Sequence, residues 1–421
     1  MDKCFRDIRV GVSAGLGRLH FVETAQALRE IGVDVQLILG WVPKTDDSWL
    51  LEIASALTGR DLSAGMRKRR AGLAAGRFST CAASEWLEHG VGLLVSILHL
   101  RSGWLSMLGA RLYGWQSRRC LLGNSIFHVR SGFGQGGAIA RARKLGQKIL
   151  VDHSIAHPSF MEKAMADEFA RNGVPFMMGP DAPLWKLVLK DCADADLLLV
   201  NSDFVKKTFV DNGYDSSKIR VVYLGVRSDF FNLRTPTVSK DLKPLRLLFT
   251  GCFGFRKGAE YILEALKILQ EEMNIPFTLD VVGVFAGAEN IINRYSAYSL
   301  PVRFHGSVPQ DDLKMYLAKS DVYVFPSLAE GCAKSGMEAM AAGLCVVATE
   351  ESGLPIVDGE NGYIVPSKNA IAVAERLAWL YAHRSEIDRT GENAEKLVAE
   401  KYQWQCYAEN VKTVYDELLL K

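Results

Sequence analysis

A short pattern occurs twice in this chain of 421 residues. Ala195-Asp196-Leu197-Leu198-Leu199-Val200-Asn201-Ser202 is echoed by Ser320-Asp321-Val322-Tyr323-Val324-Phe325-Pro326-Ser327. Each copy reads as the end of a helix, an aspartate, four consecutive apolar residues and a serine just beyond. An unbroken apolar run of that length suits a strand buried on both faces, as in a parallel sheet covered by helices. The flanking segments agree. In the first half, strands are expected at 8–13, 33–39, 125–129, 148–152, 197–201 and 219–223, with an amphipathic helix over 18–31. In the second half they are expected at 246–250, 278–284, 302–305, 322–325 and 345–348. The fold class this implies is α/β: two doubly wound, Rossmann-like domains facing a central cleft. The boundaries read as 1–230 and 243–403, with a Pro/Thr/Ser/Lys-rich linker over 227–244. A last helix over 404–421 completes the first domain.

A net charge of +2 excludes a general nucleic-acid binder. Eight cysteines lie scattered, with no C-x-x-C and no Cys/His cluster at metal spacing. This favours free thiols in a reducing cytosol and no metal site. No leader is expected before Ile8, and the longest apolar candidate, 91–100, is shorter than the roughly 18 residues that span a bilayer. A cytoplasmic protein is the expectation. Residues 60–120 break the alternation. They hold ten basic residues against three acids, a local balance of +7, interleaved with Phe78, Trp86, Trp104, Leu105, Leu108, Tyr113 and Trp115. That composition suits a helical insert peripheral to an anionic membrane, and equally a helical insert with a solvated basic face.

Three segments carry chemistry. Glu330 and Glu338 stand eight apart in Phe325-Pro326-Ser327-Leu328-Ala329-Glu330-Gly331-Cys332-Ala333-Lys334-Ser335-Gly336-Met337-Glu338. A strand, a glycine turn and a helix start aim backbone N–H groups at an anion, and carboxylates beside them can accept hydrogen bonds from sugar hydroxyls. Leu248-Phe249-Thr250-Gly251-Cys252-Phe253-Gly254-Phe255-Arg256-Lys257-Gly258 is a second strand, glycine loop and helix start. There Arg256 and Lys257 can neutralise a diphosphate. In the first half, Gly132-Phe133-Gly134-Gln135-Gly136-Gly137 fits G-x-G-x-x-G, with Asp152 twenty residues beyond its first glycine. That is the dinucleotide-binding fingerprint, and alone it points to an NAD-dependent oxidoreductase.

The Glu330–Glu338 run resembles the E-x7-E motif of the family 4 retaining glycosyltransferases, which have the GT-B fold. The resemblance is strong over 246–420 and mainly architectural over 8–230. It implies transfer of a sugar from a nucleoside diphosphate-sugar, a donor substrate rather than a cofactor, to a hydroxyl of a glycan or glycolipid. It implies front-face attack, with no covalent carboxylate nucleophile and no metal. Glu338 would then accept the ribose hydroxyls and Glu330 would meet the donor sugar. Gly331, Cys332, Ala333 and Lys334 would offer nearby main chain, and Val308 would meet the base. In G-R-x-x-x-x-K-G, the family's phosphate loop, Gly251, Lys257 and Gly258 match, whereas Cys252 replaces the arginine; Arg256 would approach from another direction. Cys332 and Ala333 also depart from the usual Gly-Phe-Gly. His153 occupies a strand end where the family places a histidine near sugar and acceptor, and Gly15 and Gly17 line the first strand-to-helix turn. The resemblance also implies that the last helix crosses back to the first domain. Asp194-Ala195-Asp196 has the D-x-D form of metal-dependent transferases, yet Asp196 opens a buried strand and reads as structural. Nucleotide-sugar epimerases and sugar phosphorylases share the architecture. The lost arginine leaves open a relative that binds donor without turnover.

Overall fold

The computed structural model describes residues 8–42, 73, 77–85, 103–176, 178–234, 243–285 and 288–420. Most of the basic insert, including Arg60, Arg67 to Arg70, Trp86 and the apolar run 91–100, lies outside the described residues.

Two all-parallel sheets form the framework. The first joins β1 (Arg9–Ser13), β2 (Asp34–Leu39), β3 (Phe78–Thr80), β4 (Ile126–Arg130), β5 (Lys148–His153), β6 (Leu197–Val200) and β7 (Ile219–Val221), in the order β3-β2-β1-β4-β5-β6-β7. The second joins β8 (Leu245–Thr250), β9 (Phe277–Val282), β10 (Val302–Gly306), β11 (Val322–Phe325), β12 (Cys345–Ala348) and β13 (Tyr363–Ile364), in the order β10-β9-β8-β11-β12-β13. Strand order reverses between β1 and β4 and again between β8 and β11. Such reversals open crevices at the carboxyl ends of open α/β sheets, where ligands bind. The short edge strands β3 and β13 have too few residues to show an alternation.

The repeated pattern is a repeated contact. The Asp196 amide donates to Ile149 O (3.0 Å), and its carboxylate accepts from Ile149 N (2.7 Å). The Asp321 amide donates to Arg246 O (2.8 Å), and its carboxylate accepts from Arg246 N (2.9 Å). Each aspartate thus starts its strand by closing a ring with the neighbouring strand, which occupies Asp196 structurally. All four residues of β6 and of β11 are buried. Along β6, Leu198 and Val200 enter one apolar cluster while Leu197 and Leu199 enter the cluster on the opposite face, the period-two signature of a strand.

That opposite face is covered by α1 (Phe21–Glu30) and by the last helix, Trp404–Leu420, whose Tyr407, Val411, Val414, Tyr415 and Leu418 are buried there. Their spacing is one helical stripe. The contact is also polar: Tyr415 Oη lies 2.7 Å from His128 Nδ1, Thr24 Oγ1 donates to Tyr407 Oη (3.0 Å), and Arg220 pairs with Glu417. Residues 226–234 run the other way, with Val226 and Phe230 buried in the core of the second domain. Tyr415→Ala removes a fully buried ring and strips His128 Nδ1 of its partner. A loss of about 3–5 kcal/mol is expected in urea unfolding of the first domain; a loss below about 1 kcal/mol contradicts this packing.

Candidate active site

The β8 and β11 loops meet at the second reversal. After β8 the chain makes a 3-10 turn at Phe255–Lys257 and enters α7 (Ala259–Glu271) through Gly258 at φ 75°. Only glycine fits there, because a methyl group at 258 would overlap the carbonyl of Pro326. (Helices α2 to α6 are Gly103–Ser117, Ala138–Lys144, Pro158–Arg171, Pro183–Ala193 and Asp203–Val210.) After β11 the chain runs through Pro326 to Ala333 into the helix Lys334–Ala341.

The loops are laced together. Arg256 O accepts from Ser327 Oγ (2.9 Å) and from Leu328 N (2.8 Å), and Arg256 Nη1 donates to Ala329 O (2.9 Å). This lacing places Glu330 Oε1 2.6 Å from Arg256 Nη1 and 3.1 Å from Lys257 Nζ. Neither contact is aligned as a hydrogen bond, so the carboxylate is held by charge. Lys257 Nζ also sits 4.8 Å from the centre of the Phe325 ring. Glu330 is 8% exposed. One buried carboxylate therefore pairs with two cations at the crevice and leaves the cluster net positive. Cys252 stands half-buried where the family pattern has arginine; Arg256 reaches the crevice from the turn four residues later.

The next residue makes one of the contacts between the two domains. Gly331 O accepts from Ser202 Oγ at 2.5 Å, and a methyl group at 331 would overlap the carbonyl of Ser154. Ser202 also caps α6, accepting from Val205 N at 3.2 Å. The two serines of the repeated pattern thus do related work, Ser327 tying loop to loop and Ser202 tying domain to domain. Ala333 N donates to Ser352 O (3.0 Å), so that amide is already occupied. Cys332 is buried, with its thiol pushed upward by burial, and Lys334 is exposed.

Glu338 lies one turn into its helix and is 9% exposed. Burial pushes its carboxyl up to about 7, against the opposing charges of Lys334 and Arg227. Arg227 binds Asp229 and, at 2.6 Å, Gln310 Oε1, while Lys314 Nζ lies 2.7 Å from Asp229. Sequence reasoning missed these groups, because charges in a Pro/Ser/Thr-rich stretch look solvated. The packing of Phe230 is what brings them to Glu338.

From the first domain, His153 ends β5 one residue before the Ser154 carbonyl that abuts Gly331. Its Nδ1 lies 2.8 Å from Ser131 Oγ, its ring packs edge-on to Phe209, and its buried Nε2 makes no aligned hydrogen bond among the described residues. Burial lowers it to about 4, so it is neutral at pH 7. His157 serves as the cap of α4, accepting from Ser159 N. The turn at Gly15 is covered by the Phe133 ring, and Gly17 faces Arg130. Val308 follows the edge strand β10, two strands away from β8, and packs against the second core.

The dinucleotide fingerprint is filled by protein. Gly134 N donates to Asp191 Oδ2 (2.8 Å) and Gln135 Nε2 donates to Asp191 Oδ1 (2.7 Å). Helix α2 lies directly on the loop: a methyl group at Gly136 would overlap the Arg111 carbonyl, and one at Gly114 would overlap the Gln135 carbonyl. Asp152 is buried with His20 Nε2 at 3.0 Å and His128 Nε2 at 3.3 Å. Burial alone would raise its carboxyl, but the two histidines hold it well below the usual range. Neither a pyrophosphate nor a ribose has a seat there, and the glycines serve close packing. This removes the structural basis for an NAD-dependent oxidoreductase.

Residues 235–397 match the family described as glycosyl transferases group 1. The amylovoran biosynthesis glycosyltransferase AmsK of Erwinia amylovora is 29% identical over 205 residues, covering 46% of this chain and 50% of that protein. The putative colanic acid biosynthesis glycosyltransferase WcaL of Escherichia coli K12 is 31% identical over 193 residues, covering 44% and 47%. The chain spans about half the length of these curated relatives. Among solved structures, the sucrose-phosphate synthase of Thermosynechococcus elongatus has a TM-score of 0.67 at 17% identity, covering 98% of this chain and 99% of that one. Anabaena Alr3699/HepE, solved in complex with UDP and glucose, has a TM-score of 0.60 at 13% identity, covering 97% and 100%. At such identities the likeness is one of fold. Residues 235–397 are thus similar to the group 1 glycosyl transferases, and the chain as a whole folds as two Rossmann-like domains of the GT-B architecture.

Proposed function

We propose that this protein is a retaining glycosyltransferase that moves a sugar from a nucleoside diphosphate-sugar to an acceptor hydroxyl. The observation that carries this reading is the cluster of Arg256, Lys257 and Glu330 at the β8/β11 crevice, next to the Gly331 contact with the first domain. A leaving diphosphate gains negative charge as the glycosidic bond breaks, and two preorganised cations stabilise that charge without a metal. Lys257 and Arg256 fill this role. Glu330 pairs with both in the free protein. When the diphosphate takes over that task, the oxygens of Glu330 turn to the hydroxyls of the donor sugar. Glu338 accepts the ribose hydroxyls, and His153, at the end of β5 beside the Ser154 contact with Gly331, serves the sugar and acceptor side. The leaving phosphate oxygen takes the acceptor's proton on the same face, which retains configuration.

Two relatives bear names from amylovoran and colanic acid biosynthesis, which supports a surface glycan or its lipid-linked precursor as acceptor, met on the cytoplasmic side of a membrane. The test is incubation with nucleotide-sugars and a lipid-linked or short glycan acceptor, with the new linkage read by NMR. Retention of the donor's anomeric configuration in the product is expected; inversion contradicts the mechanism. A second reading follows from Cys252: a chain that binds donor but does not turn it over. Donor binding with no transfer to any acceptor would favour it.

The pH dependence is specific. Ribose hydroxyls donate to the ionised form of Glu338, whose carboxyl titrates at about 7. Affinity for a nucleotide-sugar therefore falls as pH drops below 7 and levels off above it, by about tenfold between pH 8 and pH 6. The diphosphate diester does not titrate in that window. Calorimetry at several pH values checks this, and Glu338→Gln is expected to bind weakly with a flat profile. An equally steep profile in the variant assigns the titration elsewhere.

A further inference from the structure

We propose that the outer face of α2 is a docking surface for an anionic lipid bilayer, which brings a membrane-borne acceptor to the cleft. In naming that acceptor the inference rests on the transferase reading above. The helix Gly103–Ser117 has two unlike sides. Ala110, Tyr113, Gly114 and Ser117 are buried, and Tyr113 Oη donates to Ile38 O (2.9 Å) and lies 2.9 Å from Ser13 Oγ. Those partners are the carboxyl ends of β2 and β1, so the helix is fixed at the cleft end of the first sheet. The other side exposes Trp104, Leu108, Arg111 and Trp115, at steps of four, three and four, which is one continuous stripe, and Arg119 is exposed in the 3-10 turn Arg118–Cys120 that follows. Trp104 is 64% exposed, Leu108 50% and Trp115 44%.

Large apolar groups exposed in a row, with tryptophans among them, are costly in water and suit the boundary between headgroups and acyl chains. Charge selects the kind of surface. From His89 to Val151 the sequence holds nine lysines and arginines and no acidic residue. Arg118 and Arg119 each place a guanidinium 5.3 Å from the Trp115 ring. Among the described residues, no carboxylate pairs with Arg111, Arg118 or Arg119. The adjoining helix Ala138–Lys144 adds exposed Arg141 and Lys144. Guanidinium groups flanking an apolar stripe match phosphate headgroups beside acyl chains. Among the described residues no helix is long and apolar enough to cross a membrane, so the contact is with the surface.

The test is flotation of the full chain with vesicles of equal parts phosphatidylglycerol and phosphatidylcholine, and with phosphatidylcholine alone. Partition into the anionic vesicles, weak partition into the neutral ones and a blue shift of tryptophan emission on binding are expected. Trp104→Ser/Leu108→Ser/Trp115→Ser and, separately, Arg111→Glu/Arg119→Glu are each expected to lower partition by on the order of tenfold or more. Their melting temperatures and their stabilisation by nucleoside diphosphate in solution should match those of the unaltered chain, since the buried face is untouched. Equal partition of the unaltered chain into both kinds of vesicle, or full partition by both variants, overturns the proposal. Vesicle binding with no response to any nucleotide would retain the docking surface and remove the transferase reading, so the two failures are separable.

Discussion

Lys257→Ala is expected to lower kcat by on the order of 10²-fold or more, with a smaller change in donor KM, as for a group whose partner gains charge in the transition state. The structure makes the prediction sharper than the motif does. Lys257 shares Glu330 Oε1 with Arg256. Removing the lysine leaves Arg256, which is anchored to Ala329 O and through its own carbonyl to Ser327. That anchoring limits its freedom to follow a leaving phosphate. Steady-state kinetics with the cognate donor checks this. A fall below threefold would mean that Arg256 carries the diphosphate alone, and that the guanidinium missing at Cys252 has been replaced outright.

Gly331→Ala is expected to cost roughly 10²-fold in kcat/KM while both domains stay folded. The added methyl group would overlap the Ser154 carbonyl across the cleft and crowd the side-chain amide of Asn201. Residue 330 is its neighbour, so relief of that overlap moves Glu330 or separates the domains. A shift of about 1 Å at a reacting centre is sufficient for a loss of that size. Kinetics together with a thermal melt tests it. Wild-type turnover would show that the contact between Gly331 and the first domain is no part of the reactive state. A collapsed melting temperature would make the glycine structural instead.

Much of this was legible in the sequence, for a physical reason. Strands buried on both faces have a composition that little else imitates, and the Asp196 and Asp321 copies each start a strand by the same backbone ring. Charged residues within loops that follow such strands are placed by the fold itself, so Arg256, Lys257 and Glu330 come together without further information. The residues that escaped are placed by contacts distant in sequence. G-x-G-x-x-G at Gly132 looks like a phosphate seat until Asp191 fills it and Gly114 brings a helix onto it. Asp152 looks like a ribose ligand until His20 and His128 enclose it. Arg227 and Asp229 look like linker charges until Phe230 docks in the second core and carries them to Glu338. Glycine permits close approach, and what approaches is decided by the tertiary structure.

The central claim is that the β8/β11 crevice binds a nucleoside diphosphate through Lys257. Thermal melts of the unaltered chain and of Lys257→Ala, with UDP, GDP, ADP and NADH, test it most directly. One nucleoside diphosphate is expected to stabilise the unaltered chain, by about 2.7 kcal/mol at a hundredfold its dissociation constant. The variant should lose most of that shift at the same concentration. Stabilisation by NADH alone, or an equal nucleotide shift in the variant, would contradict the account.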